Sequence, residues 1–201
     1  MQKLFFTVMA IIGLSFLSTA HEGYHVGDAV SDFSLKNING KNVSLADYPE
    51  SKGFIITFTC NHCPYAIAYE DRIIALDKTY AAKGYPVIAI NPNDAVQYPD
   101  DDFKSMQTRA KDKQFTFPYL HDESQAVAKK FGALKTPHMY VVQKEGGKLI
   151  IKYIGAIDDN WEDASAVTEK YVESAVDALL TGKPVAVANT KAIGCSIKWK
   201  K

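Results

Sequence analysis

The feature that most constrains the fold of this chain is a pair of cysteines placed between a buried strand and an amphipathic helix. Residues 53–59 are rich in Phe, Ile and Thr, which is typical of a buried strand. The pair follows at once in the stretch Cys60-Asn61-His62-Cys63-Pro64. From residue 66 to residue 83 the apolar side chains recur at intervals of three and four, the spacing of one helical face, and Gly84 closes the predicted helix. Both thiols are therefore predicted at the beginning of a helix, in front of unpaired backbone N–H groups.

Strands and helices alternate along the rest of the chain. An N-terminal β-hairpin is predicted from residues 33–35 and 43–45, with its turn at Asn39-Gly40. The elements predicted after the first helix are a strand at 86–91, a helix at 103–113, a strand at 117–120, a helix at 123–131, a hairpin of strands at 139–143 and 149–153, and a helix at 164–180. This order predicts an α/β fold with a largely parallel central sheet, helices on both faces and a C-terminal tail extension.

The first residues have the order of a secretory signal peptide. Lys3 precedes an apolar run at 4–17, and the small residues Ser18 and Ala20 follow it. We expect residues 1–20 to be removed and residues 21–201 to form one domain. An uncleaved membrane anchor is the alternative. With cleavage the protein is exported, periplasmic or secreted, and has no stable membrane insertion.

Charge and cysteine content restrict the partners. Lys plus Arg and Asp plus Glu both number 23, so the chain has no net positive charge that would attract it to nucleic acid or anionic lipid. The expected partners are protein or small-molecule thiols and disulfides, together with a redox partner protein that the sequence does not name. Cys60, Cys63 and Cys195 are the three cysteines. In an oxidising compartment an odd number of cysteines means that at least one thiol stays outside a disulfide or takes part in disulfide exchange.

The spacing of the two neighbouring cysteines predicts thiol–disulfide chemistry. Cys60 is predicted to be the attacking sulfur, because a helix N-terminus favours thiolate over thiol. His62 is expected to lower the pKa of Cys60 further by placing a partly protonated imidazole near it. Cys63, one turn further on, would break a mixed disulfide formed at Cys60. A structural zinc site is the competing interpretation, but a second ligand pair with short spacing is missing from the sequence.

A second local signal is Thr136-Pro137, directly before the strand predicted at 139–143. A cis peptide bond at this place would expose the backbone of Thr136 for pairing with a substrate strand and would keep metal from the thiols. The sequence alone leaves the isomer open.

These features together resemble the thioredoxin superfamily. Residues 27–35 and 40–45 resemble the opening of its redoxin branch, which includes the alkyl hydroperoxide reductase/thiol-specific antioxidant family and exported thiol–disulfide oxidoreductases. The resemblance implies a thioredoxin-like fold with a central mixed sheet, Cys60 as nucleophile, Cys63 as resolving thiol and Pro137 as the cis-proline. We expect no cofactor. Thr59 and Asn61-His62 depart from the Trp and Gly-Pro of thioredoxins, so thioredoxin's own partners are not implied.

Two other functions remain open. A peroxiredoxin-like peroxidase would have Pro-x-x-x-Thr-x-x-Cys, and here Thr57 matches the threonine while Gly53 stands in place of the proline. Such an enzyme needs an arginine against its thiolate, and of the two arginines Arg109 is the better candidate. The alternative, which we favour, is that both arginines are solvated. A copper-binding or copper-delivery protein would use Cys60, Cys63 and His138, since thiolates with an imidazole suit that metal.

Two further signals have both a chemical and a structural interpretation. Cys195 is either a third redox thiol that folds back near the active site and relays a disulfide, or a small buried residue that anchors the tail. The acidic residues at 100–102 and at 158–163 are interpreted as helix starts rather than as calcium ligands.

Overall fold

The computed structural model describes residues 23–201, and the predicted signal peptide lies outside them. The strands are β1 (Ala29–Val30), β2 (Ser34–Asn37), β3 (Asn42–Ser44), β4 (Gly53–Phe58), β5 (Val87–Asn91), β6 (Tyr119–His121), β7 (Lys135–Thr136), β8 (His138–Glu145), β9 (Lys148–Gly155) and β10 (Cys195–Ser196), and the helices are α1 (Pro64–Tyr80), α2 (Phe103–Asp112), α3 (Ala126–Phe131) and α4 (Tyr171–Leu180). Within residues 23–201, every helix is too short or too polar to cross a membrane.

The centre of the molecule is a mixed sheet of eight strands in the order β1-β9-β8-β4-β5-β6-β2-β3. Parallel pairing joins β4 to β5 and β5 to β6, and antiparallel pairing joins β4 to β8. The sheet is therefore less parallel than the alternation of elements predicts, because the hairpins at both edges add antiparallel strands. The predicted N-terminal hairpin is confirmed as β2 and β3.

The sheet separates two hydrophobic cores. Every residue of β4 is buried, and alternate side chains point to opposite faces. Ile55 packs on one face with apolar residues of α1, α2 and α4, such as Ile73 and Val176. Phe54 and Ile56 pack on the other face with residues of α3 and the tail. Helices thus cover both faces of the sheet, as predicted. The carboxyl end of β4 is connected to the start of α1 by the short turn that contains the cysteines.

The last helix is shorter than its predicted range of 164–180. Only a short turn of 3-10 helix forms at Ala164–Ala166, and α4 begins at Tyr171. The Asp159 carboxylate accepts hydrogen bonds from the backbone N–H and the hydroxyl of Thr168. These bonds hold the intervening residues outside a helix, because a side chain that bonds to a nearby backbone group competes with helical hydrogen bonding.

The C-terminal tail returns to the carboxyl end of the central strands. Its short strand β10 pairs antiparallel with β7, which places Cys195 opposite Thr136. Ile197 is buried in the core that contains α3. The tail therefore forms part of the folded structure next to the cysteine pair, although it has no periodic pattern in the sequence.

Candidate active site

Cys60 and Cys63 occupy the turn between β4 and α1. Cys63 is the N-cap residue of α1, and Pro64 is its first helical residue, where a missing N–H costs little. Both thiols are free, and they are 2% and 0% exposed. Tyr65 and Cys195 pack against them.

The Thr136–Pro137 peptide faces the two sulfurs and is cis, as the resemblance implies. Sγ of Cys60 lies 3.2 Å from Oγ1 of Thr136. Sγ of Cys63 lies 3.2 Å from the backbone oxygen of the same threonine. Thr136 thus places its hydroxyl next to the Cys60 sulfur and its carbonyl oxygen next to the Cys63 sulfur.

A hydrogen bond between the two thiols shifts their pKa values in opposite directions. The hydrogen bond from Cys60 lowers the pKa of Cys63 to about 4 against the opposing effect of burial, and the amides of Ala66 and Cys195 lower it further. The same hydrogen bond raises the pKa of Cys60 far above its ordinary value, as do burial and the charge of Asp101. The predicted lowering of the Cys60 pKa is therefore wrong for the resting pair. The reason is that Cys60 donates a hydrogen bond to Cys63, which favours the thiol at Cys60 and the thiolate at Cys63.

His62 interacts with a carboxylate instead of with a thiolate. Its Nδ1 lies 2.5 Å from Oδ2 of Asp101, and its ring stacks on Tyr98 with centroids 5.3 Å apart. The Asp101 side chain is fully buried, whereas that of His62 is 21% exposed. The imidazole is therefore hydrogen-bonded to Asp101, while one of its ring nitrogens also lies within 4.8 Å of the Cys60 sulfur.

Asp101 is a site residue that sequence reasoning missed. The interpretation of residues 100–102 as a helix start holds for Asp102, which caps α2 by accepting from the Ser105 amide at 2.6 Å. Asp101 instead accepts from the backbone N–H of Asn61 at 2.7 Å and from the Asn93 side chain at 2.8 Å. It therefore holds the backbone between the two cysteines in place.

Two more buried polar residues complete this support. The Tyr119 hydroxyl donates to Oδ1 of Asn61 at 2.9 Å. Asn91, the last residue of β5, has Nδ2 3.4 Å from Oδ1 of Asp101. The sequence could have predicted Asn91 as a neighbour of the cysteines. Polar residues at the carboxyl end of a strand parallel to β4 lie at the same edge of the sheet as the cysteine pair.

His138 lies apart from the other predicted metal ligands. Its Nδ1 accepts the Leu134 amide at 3.3 Å, and its ring packs on Tyr140 at 4.8 Å. Burial lowers its pKa to about 4. Among residues 23–201, the group of three or more potential ligand side chains with atoms within 4.8 Å of one another is Cys60, His62 and Asp101. The structure therefore does not bring His138 together with the two thiols.

A comparison with family models now decides the class of the protein. Residues 26–153 match the model of the AhpC/TSA family, which is more than half of the chain. The chain belongs to the AhpC/TSA family. The redoxin resemblance is thereby confirmed, and the matched region includes β4, the cysteine pair, cis-Pro137 and most of the sheet.

Solved structures and relatives agree with this family assignment. A conserved protein from Geobacillus kaustophilus has 38% identity and a TM-score of 0.81, over 88% of this chain and 93% of its own. A hypothetical protein from Sinorhizobium meliloti 1021 has 32% identity and a TM-score of 0.81, over 89% of this chain and 96% of its own. The thiol-disulfide oxidoreductase ResA of Bacillus cereus is 22% identical over 72% of this chain and 84% of its own. The thioredoxin-like α/β fold and the expectation of a redox enzyme are confirmed.

Proposed function

We propose that this member of the AhpC/TSA family is an exported thiol–disulfide oxidoreductase in which Cys60 is the nucleophile and Cys63 the resolving thiol. The observation that carries the proposal is the arrangement of both sulfurs around one residue, Thr136, at the start of α1. Its hydroxyl can stabilise a thiolate at Cys60. Its carbonyl oxygen can accept a hydrogen bond from a protonated Cys63.

This arrangement supplies a route for the proton before attack. The resting pair favours the thiol at Cys60, so attack first requires transfer of that proton to Cys63. The protonated Cys63 then donates a hydrogen bond to the Thr136 carbonyl oxygen, and Cys60 becomes the thiolate. Cys60 then forms a bond to one sulfur of the substrate disulfide, and the second substrate sulfur leaves and takes up a proton. Cys63 next attacks Cys60, so the mixed disulfide breaks and the substrate leaves fully reduced. The enzyme ends with a Cys60–Cys63 disulfide, and the electron pair has passed to the substrate.

The comparisons support the substrate class. ResA of Bacillus cereus is named a thiol-disulfide oxidoreductase, and protein or small-molecule disulfides are accordingly proposed as the partners of this chain. Export is proposed from Lys3, the apolar run at 4–17 and Ala20. Sequencing the mature N-terminus of the secreted or periplasmic protein tests it, and we expect that terminus near His21.

The test of the chemistry is reduction of insulin disulfides by the pre-reduced protein. We expect Cys60→Ser to lose the activity and Cys63→Ser to accumulate a mixed disulfide between Cys60 and the substrate. Ser196→Ala, a change on the exposed tail near the site, is the matched control and should keep the wild-type rate. Retained insulin reduction by Cys60→Ser would contradict the proposal.

Peroxide reduction is a second candidate that the family assignment favours. In that reaction Cys60 would be oxidised to sulfenic acid, and Cys63 would condense with it to a disulfide and release water. Both arginines, however, are engaged elsewhere: Arg109 donates to Glu70 at 2.6 and 2.7 Å, and Arg72 donates to Asp158 at 2.7 Å. Consumption of hydrogen peroxide by wild type and by Cys60→Ser, measured beside insulin reduction, separates the two candidates.

A further inference from the structure

The C-terminal tail pairs with the backbone of Thr136, the residue that the sequence predicts to be exposed for pairing with a substrate strand. In β10, Cys195 is opposite Thr136 and Ser196 is opposite Lys135. The Ile197 amide continues this pairing by donating to the Leu134 carbonyl at 3.1 Å. The backbone edge beside the cis peptide is thus already occupied by a strand of the same chain.

Gly194 allows the closest part of this contact. A Cβ atom at this residue would lie 2.3 Å from the Thr136 oxygen and 2.7 Å from its carbonyl carbon. Any other residue would therefore push the tail away from the cis peptide. The fit places the next residue, Cys195, beside the sulfur pair.

Hydrogen bonds fix the tail on both sides of Cys195. On the N-terminal side, Thr190 donates its amide to Ile154 O at 3.0 Å. On the C-terminal side, Lys198 donates its amide to Asn93 Oδ1 at 2.9 Å, and its carbonyl accepts from Gln125 at 2.8 Å. The position of the third thiol is consequently determined by the fold.

Cys195 contacts Cys63 in particular. The Cys195 amide nitrogen lies 3.4 Å from Sγ of Cys63, and the Cys195 side chain packs against the pair. Cys195 is also less buried than either partner. A disulfide at Cys195 would therefore lie closer to solvent, where a reductant can reach it.

We propose that Cys195 is a third catalytic thiol, which attacks Cys63 in the Cys60–Cys63 disulfide and carries the oxidised state to the tail. The inference rests on the proposed function, because that reaction generates the disulfide. The Cys195 sulfur bonds to Sγ of Cys63, the Cys60–Cys63 bond breaks, and Cys60 leaves as a thiolate. No electrons are gained or lost overall. A thiol reductant from outside then reduces the Cys63–Cys195 disulfide by a second exchange.

The pKa of Cys195 should fall when the Cys60–Cys63 disulfide forms. Burial raises the pKa of Cys195 to about 11, and the hydrogen bond and charge of Cys63 contribute to that rise. When Cys63 enters a disulfide it loses its charge, while the lowering effects of Lys198 and Lys135 remain. Cys195 thus becomes a better nucleophile when its target forms.

Peptide mapping of the oxidised protein tests the assignment. The purified protein is equilibrated over a series of ratios of oxidised to reduced glutathione, alkylated in acid and digested with trypsin. In Cys60→Ser, where Cys63 is the remaining thiol of the pair, we expect a disulfide between the peptides spanning 53–72 and 192–198. In Cys63→Ser this link should be reduced by about tenfold, because Cys195 contacts Cys63.

A shifted thiol provides the matched control. The triple variant Cys60→Ser, Cys195→Ser, Ser196→Cys moves the tail sulfur by one residue and so to the opposite side of the strand. We expect no link in that variant. The proposal is overturned if Cys60→Ser forms no Cys63–Cys195 disulfide at the glutathione ratios that oxidise Cys60 and Cys63 in wild type. It is also overturned if the triple variant forms a disulfide between Cys63 and the tail as readily as Cys60→Ser does.

Kinetics distinguish a failure of this inference from a failure of the proposed function. The single-turnover rate of insulin reduction by pre-reduced Cys195→Ser is measured first and is the reference for the same variant. With glutathione as reductant, we expect its steady-state rate to fall by about tenfold. If the steady-state rate of Cys195→Ser equals that of wild type, Cys195 is not a catalytic thiol, but the proposed reaction of Cys60 and Cys63 is not contradicted. Loss of the single turnover in wild type itself would instead refute the proposed function.

Discussion

The Nδ1 atom of His62 lies 2.5 Å from Oδ2 of Asp101, a carboxylate that is fully buried beneath the cysteine turn. The same carboxylate accepts the Asn61 amide, so it connects the residues between the cysteines to the loop after β5. Its charge is also one of the causes that raise the pKa of Cys60. Asp101 therefore contributes both to the position of the turn and to the pKa of the Cys60 thiol.

Asp101→Asn should lower the pKa of Cys60 by removing a negative charge near its sulfur. We expect the effect most clearly in a Cys63→Ser background, where thiolate absorbance reports on Cys60 without its partner. The variant should also lose about 1–3 kcal/mol of folding free energy, since the Asn amide cannot accept from every donor that Asp101 serves. Asp102→Asn is the control, because Asn caps a helix as well as Asp does. An unchanged or raised Cys60 pKa in the Asp101 variant would contradict this account.

The reduced protein should lose stability in acid because of Cys63. A free thiol has a pKa of about 8.5, whereas that of Cys63 in the fold is lowered to about 4. The stabilisation is therefore fully present above about pH 8.5 and disappears as the pH falls through about 4. Below about pH 8, Cys60 stays protonated in both the folded and the unfolded protein, because its pKa in the folded protein is raised. It therefore does not contribute to the pH dependence of stability in that range.

Urea unfolding of reduced wild type and Cys63→Ala between those pH values measures this slope. We expect the stability of wild type to rise with pH relative to the variant. Parallel curves for the two proteins would show that Cys63 is not a thiolate in the fold.

Gly194→Ala should displace the tail from the cis peptide. The added Cβ would approach the Thr136 oxygen to 2.3 Å, and backbone atoms cannot relieve this contact without moving. We expect a loss of about 1–3 kcal/mol in the free energy of unfolding. Alkylation of Cys63 by a bulky maleimide should also become faster. Ser196→Ala, which adds no atom to the tail, should change neither quantity, and an unaltered alkylation rate in Gly194→Ala would argue against tail displacement.

Thr57→Val should separate a structural from a peroxidatic role of this threonine. Its side chain is fully buried, and Oγ1 has no hydrogen-bond partner among residues 23–201. Replacing an unsatisfied hydroxyl with a methyl group should leave stability unchanged or raise it by about 1 kcal/mol. Insulin reduction should persist. A selective loss of peroxide consumption with retained insulin reduction would instead assign Thr57 to a peroxidase reaction.

Local pattern predicted most elements of the fold correctly. The composition of β4 and the apolar spacing of α1 predicted a buried strand followed by a helix, and Gly84 ends the helical region with φ of 95°. The error in the last helix came from Asp159, whose hydrogen bonds to Thr168 prevent helix formation before Tyr171. The sequence pattern of that region does not show which of its acidic side chains will make such bonds.

The site was predictable only where its residues are neighbours in the chain. Cys60, His62 and Cys63 were found because their spacing at a helix start has chemical meaning by itself. Asp101 was assigned to a helix cap, since an acidic run before a helix has the same pattern whether its members cap or turn inward. The approach of Cys195 to Cys63 joins residues 132 positions apart, which no local pattern encodes.

The sequence by itself determined the strand, the cysteine pair at a helix start and the Thr-Pro segment, because propensity and periodicity act over a few residues. Tertiary structure decided which sulfur accepts the hydrogen bond between the two thiols, where His62 points and what lies against the cis peptide. Those outcomes depend on packing between distant segments, in which burial and hydrogen bonding select one partner for each polar group.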